Sequence, residues 1–395
     1  MNYDKLISDR LGGKDFFKTS YYKFEKFNKL KKQYILENEN ELLDFGIGES
    51  DFMPYHEILD EFSKQIYVNG NQKYSDNGIE IFKDAARQHL KETYKLKTND
   101  LEINHVIGAK SALCIIPIAF ISENDYVITT TPGYQVLSNM SKWLKAKIYE
   151  IPLLEENNYL PDLDKIDENI YKKTKLFVIN YPNSPTGAIA NKKFYAKLIS
   201  KALKYNFLIV NDCVYGPLTY KNNPLSIMSI KNANKCAIEI HSLSKAFNMT
   251  GFRIGFVIAN KQLIHIIKEV KDNMDSGQYI PIQYAAIKAF KTQKKSLESL
   301  KDIYYTRLKN VARILNKYNL KCTIPDATFY LYVKVPLEFN SAEDFSIFLL
   351  EKCGIFTIPW DEADPHIRFS MTFKTDNDDM FYDLLDKRLS LLSKK

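Results

Sequence analysis

Cysteine is scarce in this chain and poorly placed for structural work: Cys114, Cys213, Cys236, Cys322 and Cys353 are odd in number, far apart and form no CxxC. Neither a disulfide framework nor a cysteine-based zinc site is expected. The six histidines show no HExxH or other paired ligand spacing, so no metal is expected. Long apolar runs are missing too. The best candidate, Leu113 to Ile121, is too short to cross a bilayer and is broken by Pro117, which leaves no membrane span. The opening residues, Met1-Asn2-Tyr3-Asp4-Lys5, lack the apolar core of a secretory signal, and a cytoplasmic protein is expected. There is no dense basic block either: the net charge of +7 comes from 55 basic and 48 acidic residues scattered along the whole length. That distribution argues against a nucleic-acid partner. No internal repeat or low-complexity linker interrupts the chain.

What is present is a chain of 395 residues with 45% hydrophobic content, enough for one large domain with its own core and a smaller one. The middle alternates short β-branched runs with amphipathic stretches. Strands are expected at His105 to Ile107, Tyr126 to Thr130, Lys147 to Pro152, Leu176 to Asn180, Phe207 to Asn211, Ala237 to His241 and Arg253 to Ile258. Helices such as Lys110 to Ile121 and Lys192 to Tyr205 should lie between them, giving an α/β fold with a large, mostly parallel seven-stranded sheet. Pro281 to Tyr318 reads as one or two long helices joining the lobes. Beyond it, strands at Phe329 to Val335, Ile355 to Pro359 and Ile367 to Thr372, a helix over Ala342 to Lys352 and a closing helix from Asp378 make a small α+β domain. The expected division is an N-terminal segment 1–45 packing with the small domain, a large domain 46–285, and a spine helix with the small domain 286–395.

Chemistry gathers at the predicted strand ends. His241-Ser242-Leu243-Ser244-Lys245 follows a buried-looking strand, and Arg253 stands eight residues beyond the lysine. Lys245 taken alone would be a solvated loop lysine. Upstream, the strand Phe207 to Asn211 ends at Asp212, with Tyr215 three positions on; taken alone, Asp212 would be a helix N-cap. Earlier still comes Tyr181-Pro182-Asn183-Ser184-Pro185-Thr186-Gly187, again after a strand. A pyridoxal 5'-phosphate site needs a lysine for the aldehyde, an acid for the pyridine nitrogen, a hydroxyl near the ring oxygen and a cup for the phosphate. These segments can supply all four.

In order and spacing they resemble the PN(N/S)PTG turn, D-x-x-Y strand end and S-x-S-K-x₇-R segment of the PLP-dependent transferases of fold type I, the aminotransferases of class I/II. The resemblance runs from about Tyr22 to Phe373. It implies that Lys245, Asp212 and Tyr215 are catalytic. Gly108-Ala109-Lys110, at a helix start, would form the phosphate cup with Ser242 and Arg253. Tyr134 would stack on the cofactor, with a plain core tyrosine as the alternative. Either Asn183 or Ser184 would bond the ring oxygen, since a serine stands where the family usually has asparagine. Tyr74, in Tyr74-Ser75-Asp76-Asn77-Gly78, resembles a tyrosine that reaches the phosphate from a neighbouring subunit, which implies a homodimer. Arg368 matches the arginine that clamps the substrate carboxylate, and Gly48 the glycine that closes over it. Ser50 replaces a proline common after Gly-Glu, so the loop near Gly48 should be more mobile.

Within the family the chain is most similar to the LL-diaminopimelate aminotransferase group, through Asp9-Arg10-Leu11-Gly12-Gly13, Tyr22-Lys23-Phe24-Glu25-Lys26, Asn248-Met249-Thr250-Gly251-Phe252-Arg253 and Asn273 to Tyr279. The implied reaction moves an amino group between glutamate and tetrahydrodipicolinate, giving LL-diaminopimelate and 2-oxoglutarate for lysine and peptidoglycan precursor synthesis. An aspartate- or alanine-type aminotransferase, or a C–S lyase of the same fold, begins with the same proton abstraction by Lys245 and remains an alternative.

Overall fold

The computed structural model describes residues 3, 6–16, 23–38, 42–221 and 223–393. Tyr22, at the start of one of the quoted segments, lies outside the described residues.

β-Branched and aromatic runs build a seven-stranded sheet from β2 (Glu102–Val106), β3 (Tyr126–Thr131), β4 (Lys147–Pro152), β5 (Thr174–Ile179), β6 (Leu208–Asp212), β7 (Ala237–Ser242) and β8 (Gly255–Ala259), in the order β2-β8-β7-β6-β5-β3-β4. Strands β4 to β7 and β3 pair in parallel, whereas β8 runs antiparallel to both β7 and β2. All residues of β7 and β8 are buried, as expected for strands covered on both faces. Because the reversed β8 lies between β7 and β2, the ends of β2, β3, β5, β6 and β7 and the start of β8 share one edge of the sheet. In open α/β sheets ligands bind at that edge.

The helix Ala109–Phe120 begins just past β2, with Gly108 as its N-cap at φ 73°. That left-handed backbone suits glycine, and any side chain there would also meet Arg253. The region from Pro281 is a single helix, Ile280–Lys317, 38 residues long, with proline in its first turn where no N–H is needed.

Beyond this spine, β9 (Tyr330–Lys334), β11 (Ile358–Trp360) and β12 (His366–Ser370) form an antiparallel sheet in the order β11-β12-β9. The expected single strand over Ile355 to Pro359 is split. Its first half, β10 (Ile355–Phe356), pairs in parallel with β1 (Leu43–Asp44), and its second half pairs with β12. The break falls at Thr357, between two halves that have different partners. The helix expected over Ala342 to Lys352 is α-helical only over Ala342–Phe348, then widens into a π-turn at Leu349–Cys353.

The N-terminal helix Lys23–Glu37 packs with this lobe. Its Phe27 and Tyr34 join Leu350, Phe356, Ile358 and Trp360 in a separate apolar cluster, and Lys26 pairs with Glu343. The turn Asp9–Leu11 instead touches the large-lobe helix Val136–Trp143. A buried arginine of the spine, Arg307, ties the lobes together: it binds Asp51 at 2.7 Å and Asp378 at 2.9 Å and lies 4.3 Å from the Phe373 ring centre. Among the described residues no helix is long and apolar enough to cross a membrane.

Candidate active site

At the strand-end edge, between the two lobes, lies a cavity of about 410 Å³, a usual size for a small-molecule site. Eleven of the residues singled out in the sequence line it: Gly48, Ala109, Lys110, Tyr134, Ser184, Asp212, Tyr215, Ser242, Lys245, Arg253 and Arg368.

Lys245 follows β7 and its Nζ donates to the Gly48 carbonyl, reaching from the large lobe to the loop after β1. Burial, reinforced by the positive charges of Arg368 and Arg253, pushes its pKa down to about 8, against the opposing pull of Glu49 and Asp212. A lysine so placed can be neutral at working pH and can take or give a proton.

Asp212 ends β6 and is 4% exposed. Burial pushes its carboxyl up to about 7, although the Val214 backbone N–H and the Lys245 charge both favour the ionised form. Its Oδ1 is buried without a hydrogen-bond partner. An orphaned carboxylate oxygen beside a cavity is a socket for a cationic donor, so the N-cap alternative does not describe this residue.

Tyr215 sits one turn further, with its hydroxyl 2.8 Å from that of Tyr330 and its ionisation strongly suppressed by burial.

An anion cup lies beside them. The first N–H groups of the helix Ala109–Phe120 have no acceptor within the helix, and its dipole favours negative charge. Gly108 lets Arg253 come close: a Cβ on Gly108 would stand 2.4 Å from the guanidinium Nη2. Arg253 was expected to open a strand. It adopts a left-handed conformation at φ 53° and β8 starts two residues later, because Arg253 turns toward the cup while Nη1 donates to the Thr250 carbonyl at 2.8 Å. Ser242 completes the rim, its hydroxyl accepting from the Ser244 N–H at 3.1 Å.

From the small lobe, Arg368 on β12 reaches into the cavity. It is 4% exposed, its Nη2 donates to the Gly46 carbonyl at 2.9 Å, and its Nε is buried without a partner. Gly48 leaves room for it, since a Cβ there would be 3.3 Å from Nη2 and 2.5 Å from the Tyr330 hydroxyl. Ser50, where a mobile loop was expected, is pinned by hydrogen bonds to Asn248 and, at 3.3 Å, to Tyr304.

Asn183 is not brought to the cavity. It is fully buried, its Oδ1 accepts from the Thr186 N–H at 3.2 Å and hydroxyl at 2.7 Å, and its amide faces the Pro132 carbonyl. Turn formation consumes its polar atoms, and of the two alternatives Ser184 is the one that faces inward. Tyr74 is 83% exposed and does not line the cavity of its own chain; its turn is fastened by Ser75 Oγ, which donates to the Gln278 carbonyl at 2.6 Å.

Sequence reasoning missed several cavity residues. Asn180, at the end of β5, donates to the Asp212 carbonyl at 2.7 Å and accepts from the Ser184 N–H at 2.9 Å, clamping two strand ends. Its place at a strand terminus was the signal that could have found it. Glu49, next to Gly48, also lines the cavity, as do Tyr330 and Trp360, which no local motif marks. Beneath Asp212, ligand atoms of Cys213, Glu239 and His241 lie within 4.8 Å of one another, a grouping invisible in their spacing. Both Glu239 oxygens already accept hydrogen bonds, from Ser226, His241, Asn211 and the Ile227 N–H, so the cluster is spent on bracing β6 against β7.

A mostly parallel sheet whose ends present an amine, a carboxyl and an anion cup, closed by an arginine from a smaller lobe, is the arrangement expected of a fold type I PLP-dependent enzyme. Comparison with known proteins agrees: the profile of aminotransferase class I and II matches residues 40–384, and the chain belongs to that family. It is 42% identical to the LL-diaminopimelate aminotransferase of Methanocaldococcus jannaschii over 93% of this chain and 90% of that one. It is 38% identical to the enzyme of the same name from Methanococcus maripaludis, covering 94% and 92%. Among solved structures, substrate-bound BacF from Bacillus subtilis superposes with a TM-score of 0.88 at 28% identity, covering 95% of this chain and 96% of that one.

Proposed function

We propose that the protein is a PLP-dependent LL-diaminopimelate aminotransferase, exchanging an amino group between glutamate and tetrahydrodipicolinate. Two relatives that carry this name match nearly the full length. The observation that carries the site assignment is the convergence of the Lys245 amine, the unpartnered Asp212 oxygen and the Arg368 guanidinium on one cavity.

The residues fit the cofactor. Asp212 Oδ1 would receive the pyridine N–H, Tyr215 and Ser184 would face the ring oxygen, and Tyr134 would cover the ring. The Ala109 and Lys110 N–H groups, Ser242 and Arg253 would hold the phosphate. When bound, pyridoxal phosphate supplies an electron sink for the charge left at the substrate Cα.

The chain does the rest. Lys245 Nζ would hold the cofactor aldehyde and, when free and neutral, would serve as the base for the substrate Cα proton. Ionised Asp212 would keep a proton on the nitrogen bonded to it, because a buried carboxylate favours the cationic form of its partner. Arg368 binds the α-carboxylate with Nε and an Nη, and so orients the Cα–H bond toward Lys245.

The reading further includes a homodimer in which Tyr74 of each copy meets the other's anion cup, the three-part division at 45/46 and 285/286, a cytoplasmic location, and a role in lysine synthesis.

The test is turnover of both substrate pairs by purified protein. Glutamate formation from LL-diaminopimelate and 2-oxoglutarate is expected. Good turnover of aspartate or alanine with none of diaminopimelate would overturn the substrate assignment, and pyruvate release from cystathionine would point to C–S cleavage.

A further inference from the structure

Tyr330 touches three of the assigned groups at once, although nothing in its local sequence marks it. It sits on β9 of the small lobe and is 1% exposed. Its hydroxyl lies 2.8 Å from that of Tyr215 and 3.4 Å from the Gly48 carbonyl, which is also the acceptor of Lys245 Nζ. Its ring carries the Arg368 guanidinium, whose Cζ is 4.3 Å from the ring centre.

Resting on the aminotransferase reading above, we propose that Tyr330 is a positioning residue that sets Tyr215 for the cofactor through its hydroxyl and Arg368 for the substrate through its ring. In the structure either phenol can be the donor of the Tyr215–Tyr330 bond, and Tyr330 Oη also reaches the Gly48 carbonyl. With its hydrogen given to the ring oxygen, Tyr215 Oη is left to accept, and the Tyr330 hydroxyl 2.8 Å away is the donor within reach. A phenol that accepts one hydrogen bond donates its own proton more strongly, because bonds in a chain polarise one another. Tyr215 then offers its hydrogen to the cavity, where the ring oxygen would lie, instead of spending it on a neighbour.

The ring has a separate task. Arg368 has Nη2 fixed by the Gly46 carbonyl and Nε free for a ligand, but one hydrogen bond does not define the plane of a guanidinium. Stacking on Tyr330 does, and it uses the ring's negative face to stabilise a buried cation. A carboxylate approaching Nε then meets a fork already in its binding plane.

The two tasks separate in two variants. Tyr330→Phe keeps the ring and removes the hydroxyl; Tyr330→Leu removes both. The first readout is the pH at which the bound cofactor's visible band changes in holoenzyme without substrate, compared with wild type and Tyr215→Phe. Donors to the ring oxygen hold this transition at low pH. Tyr330→Phe is expected to raise it by about 1 pH unit, less than Tyr215→Phe does, with the KM for 2-oxoglutarate within about twofold of wild type. Tyr330→Leu is expected to give the same rise together with a KM increase of roughly tenfold.

A Tyr330→Phe transition that coincides with wild type would overturn the hydroxyl role, and equal KM values for the two variants would overturn the ring role. If wild type shows the transition but does not turn over diaminopimelate, the substrate assignment fails while the Tyr330 shifts still decide this proposal. If wild type binds no chromophore, both fall.

Discussion

Lys245 donates its side-chain hydrogen bond to the carbonyl of Gly48, a residue 197 positions earlier in the chain. The contact spans the interface between the lobes and parks the amine beside Arg368 and Arg253, whose charges lower its pKa.

Capture of the cofactor aldehyde requires the neutral amine, so its pH dependence reports Lys245 directly. With a pKa of about 8, the rate at which cofactor-free protein binds pyridoxal phosphate should rise through pH 8 and level off above about pH 9. Glu49 favours the charged amine, so Glu49→Gln should move the midpoint to lower pH. Stopped-flow absorbance measures both, and Lys245→Ala should lower turnover by at least about 10²–10⁴-fold.

Asp212 should make the cofactor-free protein sensitive to pH in a defined sense. Its folded pKa of about 7 stands well above the ordinary aspartate value of 3.8. Protonation therefore accompanies folding: the associated stability is fully present below about pH 4 and is lost as pH rises through 7. Cofactor-free Asp212→Asn lacks this dependence and should be more stable than wild type at pH 8, by roughly 2–4 kcal/mol, with the difference vanishing near pH 4. Denaturant melts at the two pH values check this. The same variant should bind cofactor about 10–100-fold more weakly, having lost a charge-assisted hydrogen bond.

Arg368→Lys keeps the charge and loses the fork. The KM for amino and oxo acids should rise about 10²-fold, the cost of replacing a bidentate contact by a point charge. Cofactor affinity should be unchanged, which separates this site from the anion cup. Steady-state kinetics and cofactor titration together test the assignment.

Arg307→Leu should destabilise the fold without touching the cavity. It leaves Asp51, 4% exposed at its side chain, without its cation. Removing one partner of a buried pair costs about 3–5 kcal/mol, and a lower urea midpoint with unaltered KM in the surviving folded fraction is the expected result.

Much of this site was legible because its residues sit at strand ends. Asp212, Lys245 and the Gly108 turn each follow a β-branched run, and strand ends in a parallel sheet converge on one edge. What could not be read was direction within a turn. Asn183 and Ser184 are neighbours, yet one faces the Thr186 hydroxyl and the other the cavity, a difference set by the path of the turn rather than by residue type. Strand limits near Arg253 and Ile355 were misread for a related reason. There, a demand from elsewhere, the anion cup in one case and the partner strand β1 in the other, overrode local β propensity.

Sequence alone determined the alternation of strands and helices, the lysine, the aspartate and the spacing between them, because periodicity and strand-end placement are local properties of the chain. Tertiary structure decided which groups became partners. Tyr330 meets Tyr215 across 115 residues and Arg368 meets Gly46 across 322. Such contacts arise only when the small lobe packs on the large one and brings side chains far apart in sequence to the same cavity.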